Sequence, residues 1–256
     1  MKSSVAIVTG ASQGIGKATA IRLASDFASL VLVARNADAL KETARAVESA
    51  GAAPLALSLD LRDATAADKV VNHALKAFGR IDALVNIAGA VPQIDVLEMT
   101  DEQWNDGLAL KLHGARRLTI RAWDALKQST GSVVFTSGNS AQEPKSAFAA
   151  VATINAAIVA LAKAFAQRGM ADGVQVNSVM PGPVMTNRRR TYMEKYAPAH
   201  NMTLEEALQK FPTQAGIRRY GQPEEIAGLM AFLVSPAARW MTGTALRMDG
   251  GEIKTI

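Results

Sequence analysis

Short apolar runs alternate with longer stretches of helical periodicity along almost the whole chain. Such runs suit strands buried on both faces, and a parallel sheet covered by helices on each side provides that environment. The runs predict strands at Val5–Val8, Leu30–Ala34, Leu55–Ser58, Ala83–Val85, Ser132–Thr136, Val174–Val179 and Ala245–Met248. Between them the spacing predicts helices at Ile15–Ser25, Ala39–Ala50, Ala64–Phe78, Asp101–Leu126, Phe148–Arg168 and Glu224–Leu233. The expected architecture is α/β, a doubly wound parallel sheet of about seven strands. No Pro/Gly/Ser-rich linker and no internal repeat divides the chain, so residues 1–256 read as one domain. Only Pro183–Gln222, rich in Arg, Tyr and Pro, stands outside the rhythm. An insertion after a late strand of such a sheet lies over the carboxyl ends of the strands, where ligands bind, so a lid is expected at about 183–222.

Composition narrows the chemistry. Apolar residues make up 49% of the chain, enough for a sizeable core, and a charged fraction of 20% argues against global disorder. The absence of cysteine excludes disulfides, thiolate catalysis and cysteine-based metal sites. His73, His113 and His200 are the only histidines, and no two are spaced as metal ligands, so no metal is expected. A net charge of +5 suits phosphorylated small molecules. No basic stripe with interleaved aromatics suggests nucleic acid. The N-terminal apolar stretch starts at Val5 and meets Gly10 almost at once, too short for a signal peptide or a membrane span. The default expectation is a cytoplasmic protein without a membrane partner.

The segment Thr9-Gly10-Ala11-Ser12-Gln13-Gly14-Ile15-Gly16 follows the first strand and opens the first helix. Glycines there permit a tight turn and close backbone approach to a pyrophosphate, while the helix N-terminus offers unpaired N–H groups and the positive end of its dipole. The strand–turn–helix context makes this a dinucleotide-binding signal of the Rossmann type. Its spacing, Gly-x-x-x-Gly-x-Gly, resembles that of the short-chain dehydrogenase/reductase (SDR) family. The resemblance runs on to the C-terminus. Asn86-Ile87-Ala88-Gly89 resembles the family's Asn-Asn-Ala-Gly, and Asp60 resembles the aspartate that contacts adenine. Pro181-Gly182-Pro183-Val184-Met185-Thr186 resembles the turn that meets the nicotinamide carboxamide. Thr242-Gly243 and Asp249-Gly250-Gly251 resemble the C-terminal signature, whereas Phe27 stands where a glycine usually precedes the second strand. The cofactor residues implied are Gly10, Ser12, Gln13, Gly14, Ile15, Gly16, Arg35, Asn36, Asp60, Leu61, Asn86, Ala88, Gly89, Asn155, Pro181, Gly182, Val184 and Thr186.

The end of the second strand selects the dinucleotide. NAD enzymes place an acid there to bond the ribose hydroxyls. This chain has Ala34 followed by Arg35, leaving room for a 2′-phosphate and supplying a guanidinium fork to hold it. NADP is therefore the expected cofactor. Lys17, in the first helical turn, is read as pointing to solvent.

Members of the family generally use a Ser–Tyr–Lys set with a helix asparagine. Alignment on Ala156–Ala166 puts Asn155 at the lysine position and Val151 at the tyrosine position. The serine position falls on Gly138 or, with a slip of one, on Ser137; Ser140 is nearby. The helix asparagine, counted from Trp104, becomes Lys111. No tyrosine precedes Tyr192. Lysine and asparagine have thus traded places, which would keep one positive charge in the pocket on the opposite helix. Two readings stay open: a remodelled site in which Lys111, Asn155 and Ser137 act, or drift that leaves Lys111 in solvent and Asn155 a core amide. Lys111 and Tyr192 are the candidates for proton transfer, while His113 should face another side of its helix.

Arg188–Arg190 and Lys195 would suit an anionic substrate, although charge runs are more often solvated. The helices at Asp101–Leu126 and Phe148–Arg168 resemble the family's dimer-forming pair, implying a homotetramer or homodimer. The function expected is NADP(H)-dependent oxidation or reduction of an alcohol or carbonyl. The alternative is a catalytically silent dinucleotide-binding protein, a sensor or partner subunit.

Overall fold

The computed structural model describes residues 3–255. Seven parallel strands form one sheet in the order β3-β2-β1-β4-β5-β6-β7. They are β1 Val5–Thr9, β2 Ser29–Ala34, β3 Ala53–Ser58, β4 Ala83–Asn86, β5 Ser132–Thr136, β6 Gln175–Pro181 and β7 Ala245–Met248. Each predicted strand is present, with ends moved by two residues at most.

The strands are buried on both faces, which explains their continuous apolar runs. In β1, Val5 and Ile7 face one core layer while Ala6 and Val8 face the other; in β2, Val31 and Val33 oppose Leu30 and Leu32. On the first face pack α3 (Ala66–Phe78), α5 (Ala115–Ser129) and α6 (Ala149–Asp172), through residues such as Val70, Leu118, Ile158 and Ala162. The second face is covered by α1 (Gly14–Leu23), α2 (Ala37–Ser49) and α9 (Pro223–Leu233), through Ala20, Leu40, Ile226 and Met230. By length and hydropathy α6 passes the test for a membrane span, but its Ile154, Ile158, Ala162 and Ala166 are core residues.

Two segments differ from the sequence reading. The single helix expected at Asp101–Leu126 is three pieces: α4 (Asp101–Gly107), a π-helical segment Leu108–Gly114, and α5. The lid is also more ordered than a loop. It contains α7 (Asn187–Ala199) and α8 (Leu204–Gln214), packed on each other around Met193, Ala197 and Ala207. Thr186 caps α7 through Arg189 N, and Thr203 with Glu206 forms a capping box on α8.

Strand order reverses between β1 and β4. The chain leaves these neighbours toward opposite faces, opening a crevice at their carboxyl ends, the ligand position in sheets of this kind. The lid helices begin just beyond β6, at the same edge.

Candidate active site

The crevice has a volume of about 400 Å³. Its floor is the glycine-rich turn. Gly10 and Gly14 have φ of +67° and +53°, a region in which a side chain is strained. A Cβ on Gly10 would stand 3.1 Å from the Ala88 backbone, and one on Gly16 would overlap the Gly10 carbonyl. The turn is therefore closed against the segment after β4. Thr9 Oγ1 secures that segment by accepting from Ile87 N at 2.9 Å and Ala88 N at 3.0 Å. No side chain caps α1 and its first turn has no acid, so its N–H groups remain available to an anion.

Most residues implied for the cofactor line this crevice. Gly10, Ser12, Gln13, Gly14, Ile15, Gly16, Arg35, Leu61, Ala88, Gly89, Asn155, Pro181, Gly182, Val184 and Thr186 are all in its wall. Asn36, Asp60 and Asn86 are not. Asn36 caps α2 by accepting from Ala39 N at 3.0 Å. Asp60 accepts from Arg62 N at 3.0 Å and pairs with Arg35 at 3.8 Å. Asn86 is buried behind the crevice, donating to Thr119 Oγ1 at 3.2 Å. Lys17 pairs with Glu42 at the surface.

The C-terminal signature shapes the far wall. Gly182 N donates to Met248 O at 3.1 Å, and a Cβ on Gly182 would stand 2.6 Å from the Asp249 Cα. The Asp249 carboxylate accepts from Gly251 N and Ile253 N, each at 2.9 Å. Its role is thus to fix the turn that backs Pro181-Gly182.

At the other end, the structure brings Lys111 and Asn155 into contact. Lys111 Nζ donates to Asn155 Oδ1 at 2.5 Å and to the Ser137 carbonyl at 3.1 Å. Asn155 Nδ2 donates in turn to Ser140 Oγ at 2.9 Å. Ser137 Oγ donates to the Asn155 carbonyl at 2.7 Å, so its proton is committed to bracing α6. Lys111 lies in the middle of the π-helical segment, a kind of local widening frequent at functional sites. Its stem packs on Gly89: a Cβ there would come within 3.0 Å of Lys111 Cδ. Gly138 is equally tight, because a Cβ on it would stand 2.5 Å from Asn155 Nδ2. The chain thus gives Asn155 room that a serine at 138 would remove.

Burial, with a smaller contribution from the nearby Arg188 charge, pushes the Lys111 ammonium down to about 7. Two acceptors satisfy both N–H bonds of the neutral amine and leave its lone pair free. The folded-state value lies below the ordinary 10.5, so the unfolded chain binds the extra proton between about pH 7 and 10.5. Stability conferred through this group should therefore rise with pH across that window. In Lys111→Met, denaturant midpoints should lose that rise, while an unchanged slope would mean that the amine is not buried as described.

Val151 and Tyr192 also line the crevice. Burial raises the Tyr192 phenol above its ordinary value, opposed by Arg189. His113 is not in the wall, and its Nδ1 is buried without a hydrogen-bond partner among the described residues. Arg188, read from the sequence only as part of a basic run, ties the lid to the segment after β4. It donates to Gly89 O at 3.2 Å and Val91 O at 2.6 Å. Thr136 and Gln93 are further wall residues that the sequence reading missed. Thr136, as the last residue of β5, carried a positional signal: strand ends on this side face the crevice.

A profile of the Enoyl-(Acyl carrier protein) reductase family matches residues 10–252. The 3-oxoacyl-(acyl-carrier-protein) reductase of Synechocystis is 32% identical over 256 residues, covering 99% of this chain and 98% of that protein. Among solved structures, L-sorbose reductase from Gluconobacter frateurii, complexed with NADPH and L-sorbose, superposes with a TM-score of 0.94. It is 30% identical and each chain is covered completely. A short-chain dehydrogenase/reductase from Serratia marcescens has a TM-score of 0.86 at 33% identity, with 98% of each chain covered. The glycine-rich crevice at the switch point, the seven-stranded topology and these whole-length likenesses agree, and the chain belongs to the short-chain dehydrogenase/reductase family of oxidoreductases.

Proposed function

We propose that this protein is an NADP(H)-dependent oxidoreductase of carbonyls or alcohols in which Lys111 takes the place of a tyrosine as the proton group. The observation that carries this reading is the Lys111–Asn155 hydrogen bond inside the nucleotide crevice. A lysine that had merely drifted would be expected to extend its ammonium to solvent. This one turns inward onto two acceptors.

The crevice fits NADP. The bare N-terminus of α1 suits a pyrophosphate. Ala34 and Arg35 at the end of β2 are both in the wall. The Arg35 side chain is 58% exposed and only loosely paired with Asp60, so its guanidinium is free to turn to a 2′-phosphate. When bound, a reduced nicotinamide supplies hydride. The remaining task is proton transfer, which falls to this chain. A carbonyl that accepts hydride becomes an alkoxide and needs a proton. Lys111 gives one as an ammonium and recovers it from water as a neutral amine. An amine near 7 is poised for both states, whereas the Tyr192 phenol, moved upward, is not. Asn155 orients the amine through Oδ1, and Ser140 fixes which end of the amide faces it.

Val151 favours a second reading. It faces the crevice and cannot exchange a proton, as would suit a protein that binds nucleotide without turnover. Supplying NADPH with a panel of ketones, aldehydes and β-ketoacyl thioesters and following nucleotide absorbance separates the two. Consumption with any of them supports the oxidoreductase; tight NADPH binding without consumption supports the silent protein.

Cofactor choice gives an independent prediction. Arg35→Ala should weaken NADPH by about 1.5–3 kcal/mol, roughly 10- to 150-fold, and leave NADH nearly unchanged. Equal affinities of the native protein for the two dinucleotides would contradict the assignment.

A further inference from the structure

The walls of the crevice are electrically one-sided. Arg35, Lys111, Arg188 and Arg189 line it, and among the described residues no Asp or Glu does. Arg35 belongs to the nucleotide end. The other three cations gather at the reaction end, where Arg188 and Lys111 flank Gly89: one bonds its carbonyl and the other packs on its Cα.

Arg189 is the least satisfied of the three. Its guanidinium lies 5.5 Å from the centroid of Tyr192 and 5.1 Å from that of Phe211, an aromatic clamp. Arg189 is half-buried, and burial lowers its pKa. Of the three consecutive arginines, only Arg190 forms an ion pair among the described residues, with Glu194. The Glu252 charge acts on Arg189, but that carboxylate accepts from Asn139 Nδ2 at 2.5 Å. Just beyond Phe211, the buried Tyr220 hydroxyl has no hydrogen-bond partner among the described residues either. A half-buried guanidinium held between two rings, with no acid paired to it among the described residues, is placed to receive an anion.

We propose that the substrate carries an oxyanion, carboxylate or phosphate, which Arg189 binds while Lys111 addresses the reacting carbon–oxygen group. This rests on the oxidoreductase reading and deepens it. The planar fork of an arginine is matched to either oxyanion, and Arg189 and Lys111 line the same crevice.

The test uses charge-matched pairs with NADPH: acetoacetate against methyl acetoacetate, and dihydroxyacetone phosphate against dihydroxyacetone. The expected result is at least a tenfold preference in kcat/KM for the anion of one pair, and the pair that shows it identifies the oxyanion. The preference should fall to within about threefold in Arg189→Met and survive in part in Arg189→Lys, with NADPH affinity unchanged in both. Arg189→Lys keeps the charge and guards against a misfolded variant. No preference in either pair, or one that persists in Arg189→Met, would overturn the proposal. If nothing turns over, here or in the wider panel, the oxidoreductase reading fails on its own. Calorimetric titration of the nucleotide-loaded protein with acetoacetate and dihydroxyacetone phosphate then decides the anion site separately. Binding that Arg189→Met abolishes supports it, and no binding to the native protein overturns it.

Discussion

Lys111→Met should lower kcat for carbonyl reduction by about 10²–10⁴-fold, the range that general acid–base assistance supplies. Methionine keeps the unbranched stem that packs on Gly89 and loses only the amine and its bonds to Asn155 and Ser137. Nucleotide affinity should change little, because the phosphate turn and Arg35 lie elsewhere along the crevice. Stopped-flow measurement of the first turnover separates the two effects, since a proton group governs the rate and not the nucleotide Kd. Tyr192→Phe is the matched control. The phenol is held above its ordinary value by burial, so removing its hydroxyl should cost far less than removing the amine. A larger loss in Tyr192→Phe would move the proton to the lid.

The second large effect is a rescue. Lys111→Asn alone should be as impaired as Lys111→Met. Adding Val151→Tyr and Asn155→Lys restores the tyrosine and lysine that the family generally uses, Gly138→Ser completes the set, and the full set should recover most of the roughly 10²–10⁴-fold lost. The structure dictates the order of construction. A Cβ on Gly138 would stand 2.5 Å from Asn155 Nδ2, so Gly138→Ser should be introduced only after Asn155 has been replaced. Lys111 must be removed in the same protein, since Lys111 and a lysine at 155 would repel across the distance now spanned by a 2.5 Å hydrogen bond. Activities of the single, triple and quadruple variants on one simple ketone decide the matter. Failure of the quadruple variant, with its fold intact by circular dichroism, would show that a tyrosine at 151 cannot reach the reacting oxygen.

The sheet was legible because strands buried on both faces leave uninterrupted apolar runs, and all seven were readable within two residues. The π-helical segment was not. One wide turn shifts the register by a single residue, which a 3.6-residue pattern cannot register, yet that turn carries Lys111. The lid helices were hidden for different reasons. α7 is polar around most of its circumference, and Pro198 and Pro212 read as breakers. For α8 a signal was present and overlooked, the capping box spelled by Thr203 and Glu206. At the site, counting from Trp104 and from Ala156 was enough to pair Lys111 with Asn155. Asn36, Asp60 and Asn86, implied for the cofactor by the resemblance, lie outside the crevice wall. A motif identifies a position in the chain, but helix capping, ion pairing and burial decide where the side chain goes.

The measurement that bears most directly on Lys111 is the pH dependence of kcat/KM for carbonyl reduction with saturating NADPH, in the native protein and in Lys111→Met. The amine must be protonated to donate. The native profile should be flat on the acid side, bend near pH 7 and fall about tenfold per unit above it. In Lys111→Met the bend should vanish, leaving a low rate indifferent to pH. A bend at the same pH in both proteins, or a native profile flat from pH 6 to about pH 9, would show that the proton comes from another group.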